Sequence, residues 1–371
     1  MSARRPSGWR GELGDAGVIV AARGVRAFGY GALAVTLGVA LLARGLALVQ
    51  IGALITVSLA GDFCGTYLIA LEADRWGRRR TLMALALVMA LTGALFATVG
   101  AYPVLLAAAF FGTLGTSGSE TAPFLPIEQA MLPQTAPVAT RTALFARYNL
   151  VASAASALGA LAAGGIGGAF AHRPEGGYAL VFALYIAAAL VTALLAWRLS
   201  PRVEAQSVAT REEGWRRLVP PLRRSRGAVL RLAALFSVDA LAGGLVVQSL
   251  LALYFHLRFG VALASLGALF FGANLLAALS FLAAPALARR FGLLNTMVFT
   301  HLPSNALLVL VALLPSFPLA GGALLLRQLL SQMDVPTRQA YTMALVAPEE
   351  RSAAAAVTSL ARSAGSAASP V

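Results

Sequence analysis

Several ionisable and amide side chains lie within long apolar stretches of this sequence, where a charge is expensive to bury. At the centre of a membrane-spanning helix, a charged side chain costs about 2.5 to 3.5 kcal/mol on insertion scales. Side chains retained at that cost are candidates for binding a solute or for carrying a proton, and the alternative for each is hydrogen bonding between packed helices. The candidates are Arg26, Asp62, Glu120, Asp239, Gln248, Asn274, His301, Arg327 and Asp334.

Asp62 illustrates the chemistry that such a position favours. If the chain from Asp62 to Asp74 is helical, the two residues are about 18 Å apart along the helix axis, which places Asp62 near the middle of a membrane. Desolvation there favours the neutral carboxyl group, so Asp62 suits proton coupling. The alternative is a hydrogen-bonded contact between helices beside Gly61 and Gly65.

The composition explains why these residues must lie in a membrane. Of 371 residues, 59% are hydrophobic and 12% are charged, and the mean hydropathy is +0.78. These values are outside the range of soluble globular domains. The single cysteine, Cys64, excludes an intramolecular disulfide. All 29 basic residues are arginines, and they give a net charge of +14.

The sequence contains no recognisable catalytic motif. The three histidines, His172, His256 and His301, do not have the spacing of metal ligands, and neither a phosphate-binding glycine loop nor a nucleophile motif is present. We therefore expect no enzyme activity, no bound cofactor and no metal site.

Eleven apolar segments predict eleven membrane-spanning helices, so the fold is predicted to be an all-α integral membrane protein. The predicted spans are 17–42, 48–69, 81–99, 103–127, 142–170, 178–197, 228–254, 262–287, 293–315, 318–343 and 352–371. Arginines concentrate in the loops after the second, fourth, sixth, eighth and tenth spans, whereas the loops after the third and ninth are uncharged. Because cytoplasmic loops are rich in Arg and Lys, the amino terminus is predicted to be cytoplasmic, and the positive charge needs no nucleic acid to explain it.

The sequence also repeats itself, which divides it into two bundles of helices. The predicted boundaries are 1–198 for the first bundle, 199–227 for a cytoplasmic linker and 228–371 for the second bundle. A displacement of 210 positions relates Pro126, Gln129, Ala130 and Arg141 to Pro336, Gln339, Ala340 and Arg351. A displacement of 215 relates Ala73, Arg75 and Gly77 to Ala288, Arg290 and Gly292.

The segment Asp74, Arg75, Trp76, Gly77, Arg78, Arg79 and Arg80, between the second and third predicted spans, resembles the signature of the major facilitator superfamily. It departs from that pattern at Ala70, where the family has glycine. The resemblance extends over nearly the whole chain and implies two pseudo-symmetric six-helix bundles. If Arg351 corresponds to Arg141, the second bundle lacks its twelfth helix, which we would expect downstream.

The resemblance also implies a network that holds the two bundles together on the cytoplasmic side. In this network Asp74 accepts hydrogen bonds from a helix amino terminus or from Arg141, and the alternative is that the arginines only orient the protein. The residues assigned to this loop and to gating are Asp74, Arg75, Gly77, Arg78, Arg79, Glu128, Arg141, Arg290, Gly292, Arg338 and Arg351.

Arg26 and Asp239 occupy matching positions in the two halves, 213 residues apart. The resemblance implies that the helices bearing them line a central cavity, so we predict that the two side chains face each other across the solute path and pair. The alternative is that the first helix begins near Ala27 and that Arg23 and Arg26 extend to the cytoplasmic surface.

Together these features predict a secondary transporter of a small solute in a bacterial inner membrane, working by alternating access and coupled to protons. We expect a monomer surrounded by lipid. A membrane sensor or partner protein that keeps the fold without transporting is the alternative. Within transport, drug-like efflux and organic-anion uptake both stay open, and Arg26 and Arg327 favour an anionic solute.

Overall fold

A computed structural model of the chain describes residues 14–118, 123–135, 141–204, 225–244, 246–346 and 351–367, and every regular element within these ranges is a helix. The first half contains α1 (Asp15–Ala43), α2 (Leu48–Trp76), α3 (Arg78–Thr98), α4 (Tyr102–Phe111), α5 (Phe124–Met131), α6 (Arg141–Ala169) and α7 (Pro174–Trp197). The second half contains α8 (Arg226–Gly244), α9 (Gln248–Phe259), α10 (Leu263–Phe291), α11 (Leu293–Leu313), α12 (Phe317–Ser331), α13 (Asp334–Leu345) and α14 (Arg351–Ala367).

Eight segments of the described chain are long and apolar enough to cross a membrane. Two further apolar helices, α4 and α12, are shorter. The prediction of a multi-pass, all-α membrane protein is therefore confirmed.

Three of the predicted spans are not single continuous helices, so the prediction is wrong for these three. The span 103–127 is divided into α4 and α5, 228–254 into α8 and α9, and 318–343 into α12 and α13. Hydropathy is averaged over windows of about 19 residues, so it does not reveal breaks that are shorter than the window. In the first break Gly115 and Gly118 adopt φ angles of +59° and +68°, which an α-helix does not allow.

The junctions between α2 and α3 and between α10 and α11 have the same geometry. Gly77 and Gly292 have φ angles of +91° and +82°, so each turns the chain directly from one helix into the next. The hydroxyl of Thr81 donates to the carbonyl of Gly77 at 2.9 Å, and that of Thr296 donates to Gly292 at 2.8 Å. The predicted 215-residue repeat is therefore also a structural repeat.

Helix α1 lies inside the molecule rather than at its edge. It packs against α6 and α7, and almost every residue from Val18 to Leu41 is buried. Gly31 and Gly159 lie so close to the backbone of the facing helix that neither position has room for a Cβ atom. Helices in membranes pack through the close approach of small residues. Here this packing is accompanied by burial of the charged first part of α1.

The two halves meet tightly at the end of the molecule that is remote from the α2–α3 junction. The backbone N–H and the hydroxyl of Ser249 both donate to the carbonyl of Thr116, at 3.1 and 2.8 Å. Gly164 of α6 lies against Gly267 of α10, and Gly38 of α1 lies against Leu253 of α9. We call this end the far end.

Candidate functional site

A buried ion pair joins α1 to α5 in the first half. One guanidinium nitrogen of Arg26, Nη2, donates to both carboxylate oxygens of Glu128, at 2.9 and 2.8 Å. The two side chains are 0% and 1% exposed. The guanidinium also lies 4.1 Å from the centre of the Phe124 ring, so its flat face is covered as well.

Tyrosine and a second arginine complete this first-half pair. The hydroxyl of Tyr148, on α6, donates to Glu128 at 2.6 Å, and Arg23 donates to that hydroxyl at 3.1 Å. The Arg23 guanidinium lies 4.2 Å from the centre of the same tyrosine ring. A cavity of about 10 Å³ beside Arg26 and Glu128 has room for about one water molecule. The pair is thus closed to bulk solvent and to any larger ligand.

The signature segment forms almost no loop. Asp74, Arg75 and Trp76 belong to the last turn of α2, and Arg78 begins α3, so only Gly77 lies between the helices. The prediction of a longer loop is wrong because the positive φ angle of one glycine suffices for the turn.

A carboxylate that was not predicted from the sequence, that of Glu204, lies at the amino terminus of α3. Glu204 accepts hydrogen bonds from the backbone N–H groups of Arg78 and Arg79, at 2.7 and 3.2 Å. An acid is favourable there because it meets free N–H groups and the positive end of the helix dipole. The one available signal was an isolated acid just after α7, next to an arginine-rich stretch. Asp74 was expected in this role.

The remaining arginines of the signature segment contact neighbouring parts of the first half. Arg78 donates to the carbonyls of Ala130 and Val203, both at 3.4 Å, and Arg79 donates to the carbonyl of Trp197. Arg75 forms an exposed pair with Glu72 at 3.0 Å. The side chains of Asp74, Arg141 and Arg351, like the whole of Glu120, lie outside the described residues, so the gating network stays a prediction.

A larger cluster of charges lies in the second half, between α8, α11, α13 and α14. His301 contacts two carboxylates, with Nε2 2.8 Å from Asp239 and Nδ1 3.7 Å from Asp334. Arg338 lies 2.9 Å from Asp334 and 3.4 Å from Asp239. Arg362 lies 3.4 Å from the same oxygen of Asp239. We call these five residues the second-half cluster.

The second-half cluster is open on one side. The side chains of Asp239, His301 and Arg362 are 31%, 32% and 35% exposed, whereas those of Asp334 and Arg338 are 7% and 9% exposed. A small ligand or a proton can therefore reach the histidine and one carboxylate, while the other carboxylate and its arginine form the floor.

The ion pairs of the two halves occupy equivalent positions with opposite signs. Arg26 corresponds to Asp239 at a displacement of 213, and Glu128 corresponds to Arg338 at a displacement of 210. The first half places its arginine on the first helix, and the second half places its acid there.

The predicted contact between Arg26 and Asp239 is therefore wrong, because each residue pairs within its own half. The alternative that Arg26 extends to the surface is also wrong, since α1 begins at Asp15 and Arg26 is fully buried. Glu128 and Arg338, assigned to gating loops, lie on helices and belong to these pairs.

Arg327 lies on α12 next to the second-half cluster. Asp334, at the start of α13, interacts with it electrostatically. Within the described residues, the buried Nε atom of Arg327 has no hydrogen-bond partner. Arg327 therefore has a donor available next to the cluster.

The other predicted residues are not brought together with these. Asp62 is buried on α2 in the first half, beside the close contact of Gly61 with Phe110. Gln248 begins α9 and lies against Gly118, and Asn274 lies within α10. Both amide nitrogens are buried and lack a partner among the described residues. Helix α11 continues from His301 through Pro303, so this proline does not end it.

Four residues of the cluster, Asp239, His301, Asp334 and Arg338, are predicted from the sequence, whereas Arg362, the arginine of α14 that completes it, is not. The available signal was an arginine eleven positions after Arg351, inside a predicted span. In the described part of the chain, no group of three or more His, Cys, Asp or Glu side chains could hold a metal ion.

Comparisons with known proteins agree with this architecture. The sequence model of the Major Facilitator Superfamily matches residues 19–370. An uncharacterised membrane protein of Saccharomyces cerevisiae is 28% identical over 331 residues, which are 81% of this chain and 74% of that protein. Among solved structures, the nucleoside transporter NupG is similar with a TM-score of 0.70 and 15% identity, covering 96% of this chain and 89% of that one. A D-xylose-proton symporter is similar with a TM-score of 0.69 and 16% identity, covering 96% of this chain and 89% of that one.

Proposed function

Because this chain belongs to the Major Facilitator Superfamily, we propose that it is a secondary active transporter that moves a small solute across a membrane by alternating access. The repeated halves and their tight contact at the far end support this proposal, since alternating access needs two bundles that can close at one end while they part at the other.

The proposed orientation has the amino terminus and the α2–α3 junction in the cytoplasm, as the distribution of arginines favours. The far end would then be the extracellular side. The division at 199–227, the monomeric state and the bacterial inner membrane stay predictions.

We propose that protons are the coupling ion and that the second-half cluster carries them. The observation that supports this most directly is His301, which contacts Asp239 and Asp334 and is partly open to solvent. Imidazole changes its charge near neutral pH, so it can take up and release a proton under physiological conditions. Asp62, buried in the first half, is a second candidate on the proton path.

Proton coupling can be tested in liposomes that contain the purified protein and a trapped pH-sensitive dye. A solute found by a thermal-stability screen is added outside, because a ligand that binds only the folded protein raises its melting temperature. We expect solute-driven acidification of the lumen, reduced about tenfold or more in His301→Gln, which removes the proton-carrying ring.

The matched control is His256→Gln, since His256 lies on α9 at the far end and contacts only the carbonyl of Val261 among the bonds described for its ring. It should acidify the liposomes as the parent does. If His301→Gln carries protons at the parent rate, the cluster is not the coupling site. If no solute moves protons or itself, the non-transporting alternative, a sensor or partner protein, is favoured.

A further inference from the structure

The second-half cluster and Arg327 together contain more positive than negative charge. Arg327, Arg338 and Arg362 face two carboxylates, those of Asp239 and Asp334. With a neutral His301 the group has one excess positive charge, and with a protonated His301 it has two. An uncompensated charge within apolar helices is costly, so a bound negative charge would stabilise the group.

The geometry indicates which arginines have capacity for that charge. Arg338 is engaged at 2.9 Å with Asp334 and is almost fully buried. Arg362 has one long contact, 3.4 Å to an oxygen of Asp239 that Arg338 also approaches, and it lies on the open side. Arg327 has a buried donor without a partner among the described residues.

Asp334 is a neighbour that these two arginines share. It interacts electrostatically with both Arg327 and Arg362, and its own carboxylate is held by Arg338. Guanidinium groups bind carboxylates through paired, charge-assisted hydrogen bonds. Arg362 thus lies at the open side of the cluster, and Arg327 adds a buried, unused donor that interacts with the carboxylate at its floor.

We propose that the transported solute is an organic anion whose carboxylate binds to Arg327 and Arg362 at the open side of the second-half cluster. This inference rests on the proposed transport function and names the class of its substrate. Arg26 is not part of the site because Glu128 already binds it.

The same charges couple the anion to the proton. A proton on His301 adds a positive charge beside the bound carboxylate, so each ligand increases the affinity for the other. The charged groups that act on His301 are Asp239, Asp334 and Arg338, and Arg327 and Arg362 act on the same carboxylates. If one proton binds with each anion, the apparent affinity for the anion rises by up to about tenfold for each unit of decreasing pH.

The test uses carboxylates together with their neutral amides on the purified full-length protein. Benzoate with benzamide, nicotinate with nicotinamide, and lactate with lactamide are titrated at pH 6 and pH 8 while the melting temperature is recorded. We expect at least one acid to raise the melting temperature, more strongly at pH 6, and its amide to have no effect.

Substitutions then locate the site. In Arg327→Gln and Arg362→Gln, binding of the acid should weaken about tenfold or more, because each removes a charge-assisted contact. Arg327→Lys, which keeps the charge, should retain part of the response and shows that the fold is intact. The matched control is Arg258→Gln, since Arg258 is an exposed arginine of the same half that donates to the carbonyls of Ala312 and Leu314.

Several results would overturn the anion site. They are a panel in which no acid shifts the melting temperature, amides that act as strongly as acids, or a response that survives both glutamine substitutions. Solute-driven proton movement with a neutral or cationic solute would leave the transport proposal standing and remove only the anion. Absence of movement with every solute would remove the transport proposal itself.

Discussion

The first half and the second half hold the same ion pair in different ways. Arg26 and Glu128 are sealed among Phe124 and helix backbones, with Tyr148 donating to the carboxylate. The equivalent pair in the second half has reversed signs and one open side, and a histidine and a further arginine have joined it. The two halves therefore have an ion pair at the same repeated positions. They differ in which position holds the acid and in whether the pair is accessible to solvent.

This difference indicates a division of roles. A sealed pair contributes mainly by fixing the helices that carry it, since neither partner can exchange its proton or its ligand with water. An open cluster with a histidine can change its charge while the helices around it stay folded. We therefore expect substitutions in the first-half pair to affect stability and those in the second-half cluster to affect transport.

The largest expected difference in stability is between two variants that each remove one acid, one from each half. Glu128→Gln leaves Arg26 buried beside a neutral amide, and breaking a buried pair in this way costs about 3 to 5 kcal/mol. Asp239→Asn should cost about 1 kcal/mol or less, because Asp239 is partly exposed and its neighbours can be solvated. Denaturant unfolding in detergent micelles measures both, and equal losses would contradict the proposed division.

Reversing the first-half pair to the polarity of the second half gives an intermediate effect. Arg26→Asp with Glu128→Arg should be more stable than the two single substitutions predict, by a coupling energy of about 1 to 3 kcal/mol. The comparison requires unfolding curves of the parent, both single variants and the double variant. Strict additivity would show that the fold tolerates only one sign at these positions.

Hydropathy predicts the membrane helices of this fold but not all of the breaks within them. Hydropathy located the membrane helices because long apolar segments have few alternatives in a chain of this composition. It missed the break between α4 and α5, where Gly115 and Gly118 turn the chain within a short polar stretch. Breaks of this kind depend on φ angles, which hydropathy does not encode.

The candidate site was predicted in part. Asp239, His301 and Asp334 were identifiable because charge within an apolar helix is rare. Their partners were not, since the repeat shows which positions are equivalent but not which are in contact. Arg26 and Asp239 are equivalent, yet each pairs with a residue of its own half.

The smallest expected effect concerns the junctions that the two halves share. Glu204 accepts from the first two N–H groups of α3, whereas among the described residues no side chain does so at the start of the corresponding helix α11. Glu204→Gln should lower the free energy of unfolding by about 0.5 to 1 kcal/mol, because it removes an acid from a helix amino terminus. Glu72→Gln, which removes the exposed partner of Arg75, is the control and should cost less than about 0.5 kcal/mol. A loss no larger than this control would mean that α3, like α11, needs no acid to begin at its glycine.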